Sequence, residues 1–438
     1  MSANVGNQNL LVQIASYNTN LQGTLGLPQD LVDWLSPTLQ VSSFLTSSHG
    51  KQAPDIVAVG FQELLPLHLG LTGLSKKVIE SRDTLIRSQI EAHSPNKDRY
   101  SLVAKVCNVG VALLVYVRDE ALSGKVCDVQ TQWTGCGPAW MGNKGAVGVR
   151  FRLAGPKSND VGEIFTFVNA HLTAHAPKLA NRIADFHHIV ATLLFPPIPS
   201  SSSQALTTMY STSHLFFLGD LNFRLELPAT HPLAGPEAQT ALVDALKKNV
   251  EREELKEHDQ LLIQRRKGTV FVGFREGEFW QFQCTYKYHL KEVDSYSTKR
   301  TPSWTDRILY TTYSDSSDSP DKSAIRNVLY TSIPSYTTSD HKPIVAVLLV
   351  PTSILSSSSS TSSPPLLRLP SSYTPKPDPY WILKRHAGRA CDRIIGVIWS
   401  LFWFIGFGNA VLGMGNFIFS LVAWSWAKKR SPQIDVAA

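Results

Sequence analysis

Eight short apolar runs, each four to nine residues long, constrain the fold of the first 350 residues more than any other feature. They are Leu10–Ala15, Asp55–Gly60, Val109–Val117, Gly145–Phe151, Ile164–Ala170, Leu215–Leu218, Arg307–Tyr310 and Pro343–Val350. Runs this short, bounded by turn formers, read as buried strands rather than helices. Between them Leu74–Ala92, Lys178–Leu194 and Ala238–Gln264 read as helical regions, and Pro196–Ser203 as a surface insertion. No internal repeat is present. Strands joined both by tight turns and by helices predict two packed mixed sheets with helices outside.

Several of these runs stop on acid, amide or imidazole groups. One ends at Asn18, another at Gln62 and Glu63, and a third yields Asn169, His171 and His175. LFFLGDLNFR contributes Asp220 and Asn222, PSWTDRIL contributes Asp306, and SDHKP contributes Asp340 and His341. A single polar exit is usually a turn former. Six in one domain, several pairing a carboxylate with Asn or His, make a catalytic set.

The residue types in that set are coherent with phosphoester hydrolysis. Such a reaction needs a cation on the phosphoryl oxygens, an aligned water and donors for the spreading charge. Glu63 can supply the hard oxygen that Mg²⁺ prefers. Asp220 can orient and deprotonate the water while Asn222 donates to phosphate. His341 can donate to a non-bridging oxygen, with Asp306 or Asp340 fixing its tautomer.

LFFLGDLNFR and RTPSWTDRIL (Arg300–Leu309) resemble the two signature segments of the inositol polyphosphate 5-phosphatases. GNKGAVGVRF (Gly142–Phe151), NAHLTAH (Asn169–His175), NRIADF (Asn181–Phe186), TYKY (Thr285–Tyr288) and SDHKP resemble further blocks of that family, in its order. The resemblance implies a DNase I-like fold, a four-layered α/β/β/α sandwich of class α/β. It also implies Asn18 and Glu63 at a Mg²⁺ ion, with His171 beside the phosphate. Asp220 and Asn222 would stand at the attacking water and phosphate, and Asp306, Asp340 and His341 would form a histidine–carboxylate constellation. Lys144, Arg182, Tyr286, Lys287, Lys299 and Arg300 fall where the family reads the neighbouring 4-phosphate, and Lys and Arg are the natural clamps for it. Leu218, Cys284 and the short Asp294-Ser-Tyr approach depart from the family pattern and bear on fine substrate preference. Zinc at His171 and His175 is disfavoured, since the pair leaves a strand and Pro177 follows.

Charge and cysteine usage exclude other classes. The chain carries a formal +7, but residues 351–438 hold nine Lys/Arg against three Asp/Glu, leaving the first 350 residues at +1. A broad duplex-binding surface is therefore not expected on the main domain. None of the five cysteines has Arg six residues later, which excludes a cysteine phosphatase, and none forms C-x-x-C. That usage suits a reducing compartment. Met1–Asn18 lacks the pattern of a signal peptide, so the main domain is expected to be cytosolic.

Three segments follow: a catalytic domain at 8–350, a disordered Ser/Pro-rich linker at 351–379, and a membrane-anchoring tail at 380–430. From Ile394 to Ala427 no residue is charged, a stretch of 34 positions. One helix of that length would measure about 51 Å against a hydrocarbon core of about 30 Å. Gly406, Gly408, Asn409, Gly413, Gly415 and Asn416 crowd its middle, while Lys384, Arg385, Arg389, Arg393 and Lys428–Arg430 flank it. A re-entrant hairpin with both flanks cytosolic is favoured over a single anchor. With eight residues after Arg430, insertion is expected after synthesis, at the endoplasmic reticulum membrane. No catalytic group lies in the tail, so a chain cut at Thr352 is expected to retain its rate on soluble substrate.

The expected activity is Mg²⁺-dependent removal of the 5-phosphate from phosphatidylinositol 4,5-bisphosphate, leaving the 4-phosphate lipid. The expected partners are that lipid and the membrane, with no nucleic acid, and the chain is expected to be a monomer. The alternatives are a nuclease of the same superfamily and a phosphoinositide-binding membrane scaffold with a dead site.

Overall fold

The computed structural model describes residues 9–23, 32–35, 53–155, 161–198, 204–317, 319, 321–354 and 363–430. Within these, two six-stranded mixed sheets pack face to face. The first has the order β11-β12-β1-β2-β4-β3, built from β1 (Asn9–Asn18), β2 (Ile56–Gln62), β3 (Tyr100–Asn108), β4 (Val111–Arg118), β11 (Arg326–Ser332) and β12 (Ile344–Pro351). The second has the order β5-β6-β7-β8-β10-β9. Its strands are β5 (Val126–Gly135), β6 (Gly145–Leu153), β7 (Glu163–His171), β8 (His214–Asp220), β9 (Arg275–Glu276) and β10 (Asp306–Thr312).

Each sheet has one parallel pair at its centre, β1 with β2 and β7 with β8. Parallel strands deliver their carboxyl ends to the same sheet edge. Asn18 is thereby registered against Gln62, His171 against Asp220, and Asp306 against Asp220 from the antiparallel side. The topology gathers the polar exits at one end. Gly219 makes the last approach possible, with φ of 135° and no space for a Cβ beside the Ala170 carbonyl.

The inner core joins Val12, Ile14 and Leu113 of the first sheet to Phe151, Phe165, Phe167 and Phe216 of the second. The four Phe rings form a continuous stack, and truncating one such ring costs about 3–5 kcal/mol. Outside the first sheet lies α2 (Ser75–Ala92), which follows the short α1 (Leu67–Thr72). It buries Val78, Ile79, Ile86 and Ile90, a helical stripe, against Val57, Val59 and Tyr116. Outside the second sheet α3 (Leu179–Thr192) buries Phe186, Ile189 and Val190 against Val168 and Phe217. The layers are therefore α/β/β/α, as expected. The helical region at 238–264 divides into α4 (Gln239–Lys247), α5 (Asn249–Leu255) and α6 (Gln260–Arg266).

Three features of the tail bear on the sequence expectation. Residues 355–362 lie outside the described residues, but residues 363–379 form a strap on the outer face of the second sheet, not a disordered linker. Ser213 Oγ donates to the Pro365 carbonyl at 2.6 Å, and Leu367 N–H to Thr212 O at 2.9 Å. Leu367, Leu369 and Tyr373 pack on the outer core there, which supplies the apolar burial that the serines lack.

Second, the uncharged run breaks where its glycines crowd, as expected, and no single helix among the described residues is long and apolar enough to cross a membrane. The uncharged run breaks into α7 (Trp381–Ile405) and α8 (Ala410–Arg430), bent by 81°, and only the pair together meets that length and composition. Asn409 starts the new helix by accepting from Val411 N–H at 3.0 Å and Leu412 N–H at 3.1 Å, a side-chain N-cap.

Third, Arg385, Arg389 and Arg393 are not a free basic flank. Arg385 and Arg389 stack over Trp133 at 4.2 and 4.0 Å, and Arg393 donates to Leu71 O at 2.6 Å. The first half of α7 is thus docked on the sandwich. Its second half, the turn after it and α8 expose Phe404, Phe407, Val411, Phe419 and Trp424.

Candidate active site

Asp220 closes β8 fully buried and accepts from three directions. Asn18 Nδ2 donates to Oδ2 at 3.0 Å, the Asn222 N–H to Oδ1 at 3.1 Å, and His171 Nε2 lies 3.2 Å from Oδ2. His341 Nε2 stands 3.9 Å away. Burial alone would raise the Asp220 pKa. The positive field of His341, the His171 hydrogen bond and Lys144 override it and hold the carboxyl well below the usual carboxylate range. Asp220 is therefore ionised throughout the physiological range.

His341 is set by a second acid. Its Nδ1 meets Asp306 Oδ2 at 2.9 Å, and that oxygen also accepts from Thr285 Oγ1 at 2.7 Å and Thr305 Oγ1 at 2.9 Å. Burial would lower the imidazole pKa, but Asp306 and then Asp220 push it up to about 10. The ring is an imidazolium aimed into the cleft. Asp340, the other candidate to fix the His341 tautomer, is instead taken by Lys287 at 2.6 Å.

Glu63 sits just past β2 with φ of 49°, and its carboxylate is open to the cleft, 3.8 Å from His171 Nε2. Asn18 places its Nδ2 on Asp220 and accepts the Asn20 N–H on Oδ1 at 3.1 Å. Two carboxylates and a carboxamide around one side of His171 are the hard oxygen set that Mg²⁺ or Ca²⁺ takes, so the residues fit such an ion. Asp220, Asp306 and His341 also bring one ligand atom each within 4.8 Å of one another. That second cluster reads as an acid–imidazolium–acid chain, because a protonated His341 has no lone pair to offer a metal.

Lys144 Nζ meets the same His171 Nε2 that faces Asp220 and Glu63, and lies 3.3 Å from Nδ1. Burial lowers its pKa, opposed by the charges of Glu63 and Asp220. Asn222, with φ of 57°, donates to Leu172 O at 3.1 Å and accepts from Arg224. Tyr286 stacks on His341 with ring centres 4.6 Å apart, and Lys287 flanks it at the cleft. Lys299 and Arg300 are exposed on the rim of a cavity of about 590 Å³ lined also by Ala176, Leu225, Leu233 and Thr301.

Arg182 departs from expectation. It is fully buried and holds a loop rather than facing the cleft. Its guanidinium donates to His175 O at 2.6 Å, Ala176 O at 3.2 Å and Gln260 Oε1 at 2.6 Å. The pKa falls to about 10 through burial, and the group positions residues 173–176. His175 contributes its carbonyl to that arrangement.

Sequence reasoning missed three residues and gave a fourth no role. Arg224 lies over the Tyr286 ring at 4.5 Å, although it ends the same LFFLGDLNFR segment. Thr285 and Thr305 fix Asp306, and Thr305 precedes it in PSWTDRIL. Asn169 was noted as a strand exit without a role. It bridges the two sheets, donating to Phe61 O at 2.9 Å and Ala112 O at 2.7 Å and accepting from Gln62 Nε2 at 2.6 Å.

A buried carboxylate between two imidazoles at the edge of an α/β/β/α sandwich defines a hydrolytic centre of the endonuclease/exonuclease/phosphatase type. The model of endonuclease/exonuclease/phosphatase family 2 matches residues 16–347, and the chain belongs to that family. It is 32% identical over 349 residues to the type II inositol 1,4,5-trisphosphate 5-phosphatase of Mus musculus, covering 78% of this chain and 30% of that protein. It is 29% identical over 348 residues to synaptojanin-1 of Rattus norvegicus, covering 73% of this chain and 20% of that protein. The chain thus spans less than a third of the length of these relatives. The crystal structure of the inositol polyphosphate 5-phosphatase domain of SPsynaptojanin, in complex with inositol (1,4)-bisphosphate and calcium ion, superposes with a TM-score of 0.58 at 26% identity. That match covers 79% of this chain and 85% of the other.

Proposed function

We propose that this protein is a metal-dependent phosphoinositide 5-phosphatase. Its substrate is phosphatidylinositol 4,5-bisphosphate and its product the 4-phosphate lipid, at the cytosolic face of the endoplasmic reticulum membrane. The observation that carries the reading is the pairing of an ionised Asp220 with an imidazolium His341 3.9 Å away, in a cleft ringed by Lys144, Lys287 and Arg224.

Each residue then has a task. Lys144 and His341 meet the phosphoryl oxygens with positive charge. Asp220 holds the attacking water in line. A carboxylate of low pKa suits that task, since a loose phosphoryl-transfer transition state needs an oriented water more than a strong base. Asn222, pinned by Arg224 and donating one amide hydrogen to Leu172 O, gives the other to the phosphate. Glu63 and Asn18 would hold Mg²⁺, which when bound neutralises charge on the phosphate. Lys287, Lys299 and Arg300 bind the 4-phosphate. The relatives named as inositol 5-phosphatases support the substrate class. The exposed apolar α7–α8 pair, carrying Trp424 and Trp426, supports membrane attachment, because so much apolar surface requires a cover. Attachment raises the local concentration of lipid substrate.

Phosphate release by the full-length chain tests the reading, measured over 4,5-, 3,5- and 3,4,5-phosphorylated lipids and inositol 1,4,5-trisphosphate, with Mg²⁺ and with chelator. Mg²⁺-dependent release from the 4,5-lipid is expected, with little from the 3,5-lipid. Release indifferent to chelator, or nicking of supercoiled plasmid in its place, overturns it.

A further inference from the structure

One face of α7 repeats every four residues: Gly388, Asp392 and Gly396 are its buried positions. A Cβ on Gly388 would collide with the Trp140 carbonyl, and one on Gly396 with Leu71 and Thr72. The helix therefore lies in backbone contact with two loops. Leu71 and Thr72 end α1, just beyond Glu63. Trp140 belongs to the loop 136–144, which carries Lys144.

That loop is closed by Cys136 N–H to Lys144 O at 2.8 Å and Gly137 N–H to Met141 O at 2.9 Å. Its tip is unusual, with Ala139 and Trp140 both at positive φ, 52° and 61°. Non-glycine residues persist there only when their surroundings over-determine them. The surroundings are α7: Gly388 on the Trp140 carbonyl and Asp392 on the next turn. Asp392 is 1% exposed, and its Oδ1 and Oδ2 accept the Gly142 N–H at 3.0 and 3.2 Å. Two residues further on, Lys144 meets His171. Arg389 ties the same helix to Asn108 at 3.1 Å, and a Cβ on Gly142 would strike the Asn108 side chain.

We propose that Asp392 is a positioning residue of the active site: by capping the Gly142 N–H it holds the 136–144 loop so that Lys144 faces the phosphate. This rests on the phosphatase reading. It makes the first half of α7 part of the catalytic unit, so the expectation that a chain cut at Thr352 keeps its rate is replaced by its opposite. The clamp acts through a hydrogen-bond acceptor, not through charge at the substrate.

The test uses the full-length protein in detergent and soluble inositol 1,4,5-trisphosphate, which removes tethering from the rate. D392A is expected to raise KM about tenfold with kcat within about threefold, the signature of lost uniform binding. D392N, whose amide oxygen still accepts from Gly142, is expected to return KM to within about threefold of the parent. Amide exchange at Gly142 should quicken at least about tenfold in D392A and not in D392N. A folded D392A with parental KM overturns the proposal, and so does a KM defect that D392N does not relieve. Should D392A fail to fold, G388V keeps Asp392 but wedges the helix off Trp140. A parental KM in G388V overturns the proposal equally. If the parent releases no phosphate, the functional reading fails instead, and Gly142 exchange alone decides the clamp.

Discussion

His341 and Asp306, 35 residues apart in the chain, share a 2.9 Å hydrogen bond whose acceptor is buried under two threonine hydroxyls. The imidazolium is thereby the resting state, and the pH behaviour of the site follows from it.

The folded pKa of His341 lies at about 10 against an ordinary value of 6.5. Stability from its charge is full below about pH 6.5 and is lost as pH rises toward 10. The protein should therefore lose stability steadily from pH 7 to 10 and show an alkaline limb in kcat/KM near its end. D306N removes the largest raising charge. The limb should move down by at least about one pH unit and the stability slope should flatten. An unmoved limb in the pH–rate profile refutes the assignment.

Asp220→Ala should lower kcat at least about 10²-fold without raising KM. The carboxylate acts on water, and its removal leaves Lys144, His171 and His341 free to hold phosphate. Steady-state phosphate release measures both constants, and near-normal kcat rules the role out.

Lys287→Ala should cost about 1.5–3 kcal/mol of preference for substrates that carry the 4-phosphate. Asp340 neutralises Lys287 before substrate arrives, so Asp340→Asn should strengthen binding of the same substrates. Ratios of kcat/KM for substrate pairs with and without the 4-phosphate read both effects.

Arg182→Lys separates loop clamping from substrate contact. Lysine cannot satisfy His175 O, Ala176 O and Gln260 together, so unfolding in urea should show a loss of about 2–4 kcal/mol. The preference for the 4-phosphate should stay as in the parent protein. A selectivity change with intact stability would restore Arg182 to the substrate site.

Replacing Phe404, Phe407 and Phe419 together by Ser should release the protein from membranes into a carbonate wash while leaving hydrolysis of soluble inositol phosphate unchanged. These side chains are exposed and touch none of the site groups. A glycosylation acceptor added after Ala438 should remain unmodified if the pair is re-entrant.

The parts of the fold legible in the sequence are those buried on both faces. The eight apolar runs coincide with β12, β1, β2 and β4 of one sheet and β6, β7, β8 and β10 of the other, its interior strands. The strands that were missed, β3, β5, β9 and β11, are the four edges. β3, β5 and β11 each keep a half-exposed face and so lack a continuous apolar run. The site was legible for the same reason, because Asn18, Glu63, His171 and Asp220 stand where interior strands stop. Arg182 was not, since a helical arginine facing loop carbonyls reads like one facing substrate. Arg385, Arg389 and Arg393 were hidden by the uncharged run beside them. The Gly388, Asp392 and Gly396 spacing was the available sign that this helix has a packed face.

β1 lies between β2 and β12, so the strand bearing Asn18 pairs with the last strand of the sandwich, Leu10 opposite Val350. On the ribosome, β1 therefore waits with one edge open until nearly the whole domain has been synthesised. Contacts this distant in sequence fold slowly, since loop closure precedes any gain from pairing. Production should thus depend on chaperone supply and on low temperature more steeply than native stability alone would indicate.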